Sequence, residues 1–424
     1  MPHLLKRGIV GAVMIAGAAG AYAQANGSDT MLPLDQRPTL FGGPNSPEQW
    51  LRDRGLGLDI SWTQFGQSMT SPSSGDNGMQ WGGKLNAKFN FDFSKMGLWD
   101  GFSASALYEY KTGDSVNGFN GVLLPINTQM YEPANESQAL SLTFTQRFGD
   151  SFSLSAGKFN MVDAASATPI VGGGGINTFW NLNFAAPPSG LVPPYITGFS
   201  GTLRSEVVNT TLMVYDPKDS QNGSGLSGWG QDGINLRLSL QFPIKPGGLT
   251  GYQTLVGVFS TKDTVDLADL PQLILPVPPG QDTTVDIKGN SWYLGWNFQQ
   301  YLSQNPNKPA EGWGLFGQAF IADGNPNVYR WFVNFGVAGN SPIAGRAQDR
   351  FGIGLFNTSF SGDLTDSLKT LTGASISDER GIEAFYNMAV TPWFRVALDL
   401  QYIRPGVRDY GNALFAGLSA QFKL

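Results

Sequence analysis

From Phe394 the chain alternates in character: Phe394, Val396, Leu398, Leu400 and Tyr402 are apolar, while Arg395, Asp399 and Gln401 between them are polar. A period of two predicts a β-strand with one apolar and one polar face. About sixteen segments share this pattern, lying near 55–65, 83–93, 101–110, 139–148, 151–159, 195–204, 207–215, 233–242, 251–260, 291–301, 313–322, 329–339, 350–359, 381–390, 394–403 and 412–424. Some are clear. Leu85, Ala87, Phe89, Phe91 and Phe93 share one face, with Lys84, Asn86, Lys88, Asn90 and Asp92 on the other; Ile234, Leu236, Leu238, Leu240 and Phe242 likewise separate from Asn235, Arg237, Ser239 and Gln241. The alternation is faint in 195–204 and 313–322.

Connection lengths alternate as well. Short turns at Gly149-Asp150, Ser205-Glu206 and Thr391-Pro392-Trp393 stand between long Gly/Pro/Asn/Asp/Ser-rich stretches at 111–138, 160–194, 216–231, 261–290 and 360–379; two connections, 302–312 and 340–349, read as middling. An outer-membrane barrel has short periplasmic turns and long outer loops, whereas a soluble sandwich has no reason to alternate. Charge also separates the faces: 394–402 carries none at its even positions, and a charge facing mid-bilayer lipid costs about 2–4 kcal/mol. The pattern therefore predicts an all-β, transmembrane, antiparallel up-and-down β-barrel of sixteen strands over 55–424. A secreted β-rich binding or adhesion protein is the alternative of another class, and it would need a repeat period that the chain does not show.

The first residues set the compartment. His3, Lys6 and Arg7 precede the apolar run GIVGAVMIAGAAG, and AYA before Gln24 fits a cleavage site, so 1–23 reads as a signal peptide. Between it and the barrel, 24–54 forms an N-terminal segment. There Ser46, Pro47 and Gln49 form a capping box, predicting one short helix over EQWLRDR that ends at Gly55. The segment is far too short for the plug of an energised transporter. In NALFAGLSAQFKL the chain ends on the apolar phase of a strand, with Phe422 two residues before Leu424. That is similar to the terminal signal by which outer-membrane barrels meet their assembly machinery, although such signals usually end in Phe.

Composition then removes chemistry. The 424 residues contain no Cys, and the one His lies in the signal peptide. An exported form therefore lacks Ser-His-Asp and Cys-His catalysis, ordinary zinc sites, disulfides and a lipoprotein anchor. Carboxylate or Ser-Lys chemistry is not excluded by composition, but most acids read as solvated or lumenal charges. Cleavage would make the chain two charges more acidic than its net −6, which argues against nucleic acid. The 55 Gly, 11 Trp, 13 Tyr and 28 Phe with only 14% charged residues suit aromatic girdles at two membrane interfaces. No enzyme, metal or cofactor is expected.

Several stretches resemble the carbohydrate-selective outer-membrane porins of the OprB type: PEQWLRDRGLGLDISWTQ, SLSAGKFN at 153–160, AQDRFGIGLFNTSFS at 347–361, EAFYNMAVTPW and LDLQYIRPG. The resemblance implies a sixteen-stranded barrel through which sugars diffuse passively, without reaction or cofactor. Expected partners are small sugars, outer-membrane lipid and the barrel-assembly machinery, with monomer and homotrimer both open. A general or differently selective small-solute porin is the second function of the same class. Strand phase then points Arg147, Arg237, Arg330, Glu383, Asn387, Arg395, Asp399 and Gln401 inward, with Lys84, Lys88 and Glu109 as further candidates and Arg204 and Lys158 at strand ends. Arg395 and Asp399 could instead satisfy each other. In sixteen-stranded porins the third outer loop, following the fifth strand, often folds into the lumen. Here that is 160–194, where GGGG at 172–175 precedes INTFWNLNF, so Phe179, Trp180, Asn181 and Asn183 are the expected constriction.

Overall fold

The computed structural model describes residues 32–73, 75–76, 78–131, 136–275 and 284–424. The expected signal peptide and the start of the N-terminal segment lie outside the described residues.

Sixteen antiparallel strands close into a barrel. In chain order they are β1 (Leu56–Ser71), β2 (Gln80–Asp92), β3 (Phe102–Gly113), β4 (Glu136–Phe148), β5 (Phe152–Asn160), β6 (Tyr195–Leu203), β7 (Asn209–Tyr215) and β8 (Asn235–Ile244). Then come β9 (Gly251–Ser260), β10 (Trp292–Asn305), β11 (Lys308–Ala322), β12 (Tyr329–Asn340), β13 (Arg350–Phe360), β14 (Glu379–Ala389), β15 (Phe394–Arg404) and β16 (Ala413–Lys423). Each strand pairs with its sequence neighbour. Closure joins β16 to β1 in register from Ser61↔Lys423 to Thr70↔Leu414, and the Leu424 N–H adds a bond of 2.9 Å to the Ile60 carbonyl. Closure leaves no open sheet edge in lipid, where an unpaired backbone group would cost several kcal/mol.

The outer face is the apolar belt that the alternation predicts. Leu398, Leu400, Tyr402, Leu414 and Leu418 are all exposed on it, while Asp399, Gln401, Ala397 and Ile403 are buried inside. The connection at 302–312 corrects the sequence reading. β10 and β11 run to Asn305 and from Lys308, so Pro306-Asn307 is a tight turn and the short-end rule holds there. Their inner ends were obscured by ladder shifts at Tyr301/Ser303 and Gln304/Asn305. The other exception, 341–349, is a longer turn organised by Asp349, which accepts from Arg346 (2.7 Å), Tyr386 (2.6 Å) and the Ala389 N–H (2.8 Å).

The short N-terminal helix, α1 (Pro47–Asp53), starts one residue before the expected span, and Ser46 Oγ accepts the Gln49 N–H at 3.2 Å. The reciprocal half of the capping box is absent, because the Gln49 side chain turns to Asp53 at 2.7 Å. Gly55 ends the helix with φ of 92°, where a side chain would be strained.

A hydrophobic core occupies one side of the lumen. Wall residues Phe65, Met69, Phe316, Phe356, Phe385 and Phe415 point inward and pack against Val116, Val122, Ile126 and Met130 of the second outer loop. Ile170, Phe179, Trp180 and Phe184 of the third loop complete it. This explains the faint alternation of 313–322: Phe316 and Phe320 face the core while Ile321 faces lipid, so β11 is apolar on both sides.

Candidate functional site

The third outer loop, 161–194, enters the lumen and is tied to the wall of β14 and β15. Glu383 is fully buried and accepts the N–H of Trp180 at 2.5 Å and of Asn181 at 3.2 Å. Asn181 donates through Nδ2 to Gln401 Oε1 (2.9 Å), and Gln401 donates to Asp399 Oδ1 (2.8 Å) and to the carbonyl of Ile126 in the second loop (3.1 Å). Asn183 extends the network: Thr358 donates to its side chain at 2.6 Å, and Asn334 to its main-chain carbonyl at 2.7 Å. These interior polar groups all need partners, since an unmet buried donor or acceptor costs about 1–3 kcal/mol.

The loop's rings sit on wall glycines. A Cβ at Gly352 would come within 2.7 Å of Phe179, one at Gly354 within 2.6 Å of Phe184, and one at Gly417 within 2.4 Å of Trp180. Phe179 also packs on Phe184 (4.4 Å between ring centres) and Phe385 (4.8 Å), and Trp180 on Phe65 (5.2 Å). Thus Phe179, Trp180, Asn181 and Asn183 do lie inside the barrel, but as the loop's buried anchors. They face wall rather than water.

Water-accessible space remains beside this core. An outer cavity of about 450 Å³ is bounded by Arg237, Tyr293, Gln318, Phe320, Tyr329 and the Pro-rich return limb of the loop. A second, of about 430 Å³, extends toward the periplasmic end past Asn86, Asp163, Gly172–Gly174, Asn177 and Arg350. They share Lys84, Glu109 and Val162 in their walls. Lys84 and Glu109 form a buried ion pair there. Glu109 also accepts from Asn160 Nδ2 (2.5 Å) and the Tyr195 hydroxyl, and Lys84 donates to Gln129 Oε1 (2.6 Å). Gln129 in turn donates to the Gly174 carbonyl, linking the second loop to the glycine run.

The remaining sequence candidates separate by place. Arg237, Val258 and Tyr293 share one ladder row on the lumen face. Arg147 lies at the periplasmic mouth beside Asn90, Ser105 and Thr145. Asn387 is buried and accepts from Arg395 Nε at 2.6 Å, while Arg395 also donates to the Gln348 carbonyl at 2.9 Å. Arg395 and Asp399 do not pair, because four residues along a strand span about 13 Å. Arg330 falls at a ladder irregularity between Tyr329 and Trp331; its side chain is exposed, while Tyr329 lines the outer cavity. The bulge breaks the phase that points Arg330 inward.

Among the further candidates, Lys88 pairs with Asp163 at 2.8 Å, Lys158 donates to the carbonyls of Gln221 and Gly223, and Arg204 to Ser153 at 3.3 Å. Sequence reasoning missed Lys111, Asn160, Tyr195 and Arg350. Arg350 has the inward phase of Gly352 and Phe356, so phase alone could have found it.

The outer rim is clasped across three loops. Asp266 accepts Lys288 Nζ (2.7 Å), Asn325 Nδ2 (2.6 Å) and the Ala268 N–H (2.9 Å), and Asn325 also reaches Asp363 at 2.6 Å. The Lys288 and Asn325 bonds, with the Ala268 N–H, pull the Asp266 carboxyl down to about 2.

Comparison with known proteins agrees with this architecture. Residues 76–424 match the family described as carbohydrate-selective porin, OprB family. Porin B of Pseudomonas aeruginosa is 26% identical over 227 residues, covering 49% of this chain and 49% of the relative; the match thus spans about half the length of that protein. The high-pH structure of Pseudomonas putida OprB superposes with a TM-score of 0.78 at 18% identity, over 93% of this chain and 100% of that one. OmpF of Salmonella typhi, in complex with daunomycin, gives 0.50 at 11% identity over 88% and 99%. The structural likenesses show the fold, and the family match with them indicates a porin of a Gram-negative outer membrane. By its family match over most of its length, this chain belongs to the carbohydrate-selective porin, OprB family.

Proposed function

We propose that the protein is a passive channel through which mono- and oligosaccharides diffuse into the periplasm, without catalysis, cofactor or metal. The observation that carries this reading is the pair of cavities meeting at Lys84 and Glu109. Their walls offer both things a sugar needs. Charged and amide groups (Lys84, Glu109, Asn160, Arg237, Asn297, Gln318) replace hydration of hydroxyls, and Tyr195, Tyr293 and Tyr329 present ring faces to C–H surfaces. At about 450 Å³ the outer cavity is within the range of small-molecule sites. Outer-membrane lipid covers the apolar belt, and the C-terminal strand, which closes the barrel, serves as the segment presented to the assembly machinery. The residues that act on solute are Lys84, Glu109 and Arg237; Glu383, Asp399, Gln401, Asn181 and Asn183 act by positioning the loop.

Reconstitution in liposomes tests this. Swelling should be faster for a hexose than for a neutral amino acid of similar size. Equal rates would leave a general small-solute porin, and no swelling in any solute would sink the channel reading altogether.

A further inference from the structure

The charges along the passage do not balance. Among the described residues, the shared and outer walls carry Lys84 and Arg237 and the inner wall carries Arg350, with Glu109 and Asp163 as the carboxylates beside them. Both carboxylates are engaged already, Glu109 with Lys84 and Asp163 with Lys88. Among the described residues no salt bridge reaches Arg237 or Arg350. Arg350 donates to main-chain carbonyls of Ile170 (3.1 Å) and Pro169 (3.4 Å), which hold its position but leave its formal charge, and among the described residues its Nε has no partner. Arg237 lies against the Tyr293 hydroxyl, likewise a neutral group. The chain as a whole is nevertheless acidic, at −6. A basic passage inside an acidic protein is therefore a local arrangement and does not follow from overall charge.

We propose that this passage favours anionic carbohydrates, the sugar carboxylates, over neutral and cationic sugars of the same size. The inference rests on the carbohydrate-channel reading and names the substrate class within it. A narrow lumen walled by low-dielectric protein focuses the field of its fixed charges and raises the local concentration of counter-charged solute. Arg237 stands in the outer cavity and Arg350 in the inner one, so a carboxylate leaving the first meets the second. Each guanidinium offers paired N–H donors matched to a carboxylate. The neutral part of the solute uses the amides and tyrosines already described. The carboxylate adds attraction at both ends of the constriction.

The experiment compares swelling of liposomes holding the full-length folded protein in glucose, glucuronate and protonated glucosamine, at low and high salt. Glucuronate should enter about tenfold faster than glucosamine, the lower end of electrostatic steering. The ratio should shrink as salt screens the charges. In planar bilayers, the zero-current potential of the unaltered protein in a potassium chloride gradient should have the sign of chloride preference. Arg237→Gln and Arg350→Gln together should bring the glucuronate-to-glucosamine ratio toward one. If glucose enters but the two charged sugars enter equally, or if the potential shows cation preference, the inference is overturned while the channel reading stands. If no solute enters, both fall.

Discussion

Trp180 in the lumenal loop donates its main-chain N–H to the Glu383 carboxylate on β14 at 2.5 Å, across 203 residues of sequence. The adjacent Asn181 N–H uses the same carboxylate at 3.2 Å, so one side chain fixes the loop at the point where its two large rings enter the wall.

Replacing Glu383 with Ala leaves those two buried N–H groups without an acceptor, each worth about 1–3 kcal/mol. The loop should then move in the lumen without the barrel opening. Single-channel recordings should show higher current noise and a broader distribution of conductance, with heat stability of the folded band in detergent gels reduced but present. Steady currents like those of the unaltered protein would show that the carboxylate is not the loop's anchor.

The wall glycines should be intolerant of a methyl group. Gly417→Ala places a carbon 2.4 Å from Trp180, and Gly354→Ala one 2.6 Å from Phe184. Overpacking of this kind costs about 1–3 kcal/mol. Thermal unfolding in detergent should fall for both. Ala at Gly362, which has nothing near its side-chain position, serves as the matched control.

Glu109→Gln removes the carboxylate that Lys84 faces and toward which Asn160 and Tyr195 donate. Breaking a buried pair at one partner costs about 3–5 kcal/mol. If the barrel still folds, the passage gains a net positive charge. Chloride preference should then rise above that of the unaltered protein in a salt gradient; a shift toward cations would contradict the placement of Glu109 on the passage.

The outer-loop clasp sets a pH window. Asp266 is held down to about 2 by Lys288 and Asn325, below the ordinary carboxylate value near 4. A depressed folded-state value means that the stabilisation is complete above about pH 4 and is lost as the pH falls through about 2. Pepsin cutting of the outer loops should therefore stay slow to about pH 3 and rise below it. Asp266→Asn should remove that pH dependence and expose Lys262 and Lys288 to trypsin at neutral pH.

The barrel was legible because lipid imposes its demand strand by strand. Leu398, Leu400 and Tyr402 must be apolar whatever lies inside, so alternation survives in the chain. Where the inner face is also apolar, as with Phe316 and Phe320 on β11, the alternation fades and the ends of the strand blur. The lumenal loop and its position were legible from order and the glycine run, but the orientation of its side chains was not. Whether Phe179 and Trp180 face water or wall depends on glycines at 352 and 417, which no local pattern connects to them. The second loop's share is similar: the Leu123 N–H is held by Glu379 at 2.7 Å, across 256 residues. Lys84 and Glu109 could be placed inside by phase, yet their meeting required the pairing of β2 with β3 in the register Asn86↔Glu109.

Gly352, Gly354 and Gly417 also set how deeply the loop's rings sink into the wall. The rings they receive carry the loop with them, so the depth to which each ring sinks governs how far the loop stands out into the water. A change of one carbon on the wall would therefore alter the bore without touching any residue that meets solute. On the proposed carbohydrate-channel reading, selection for solute size would act from behind the loop, on positions that do not line the two cavities.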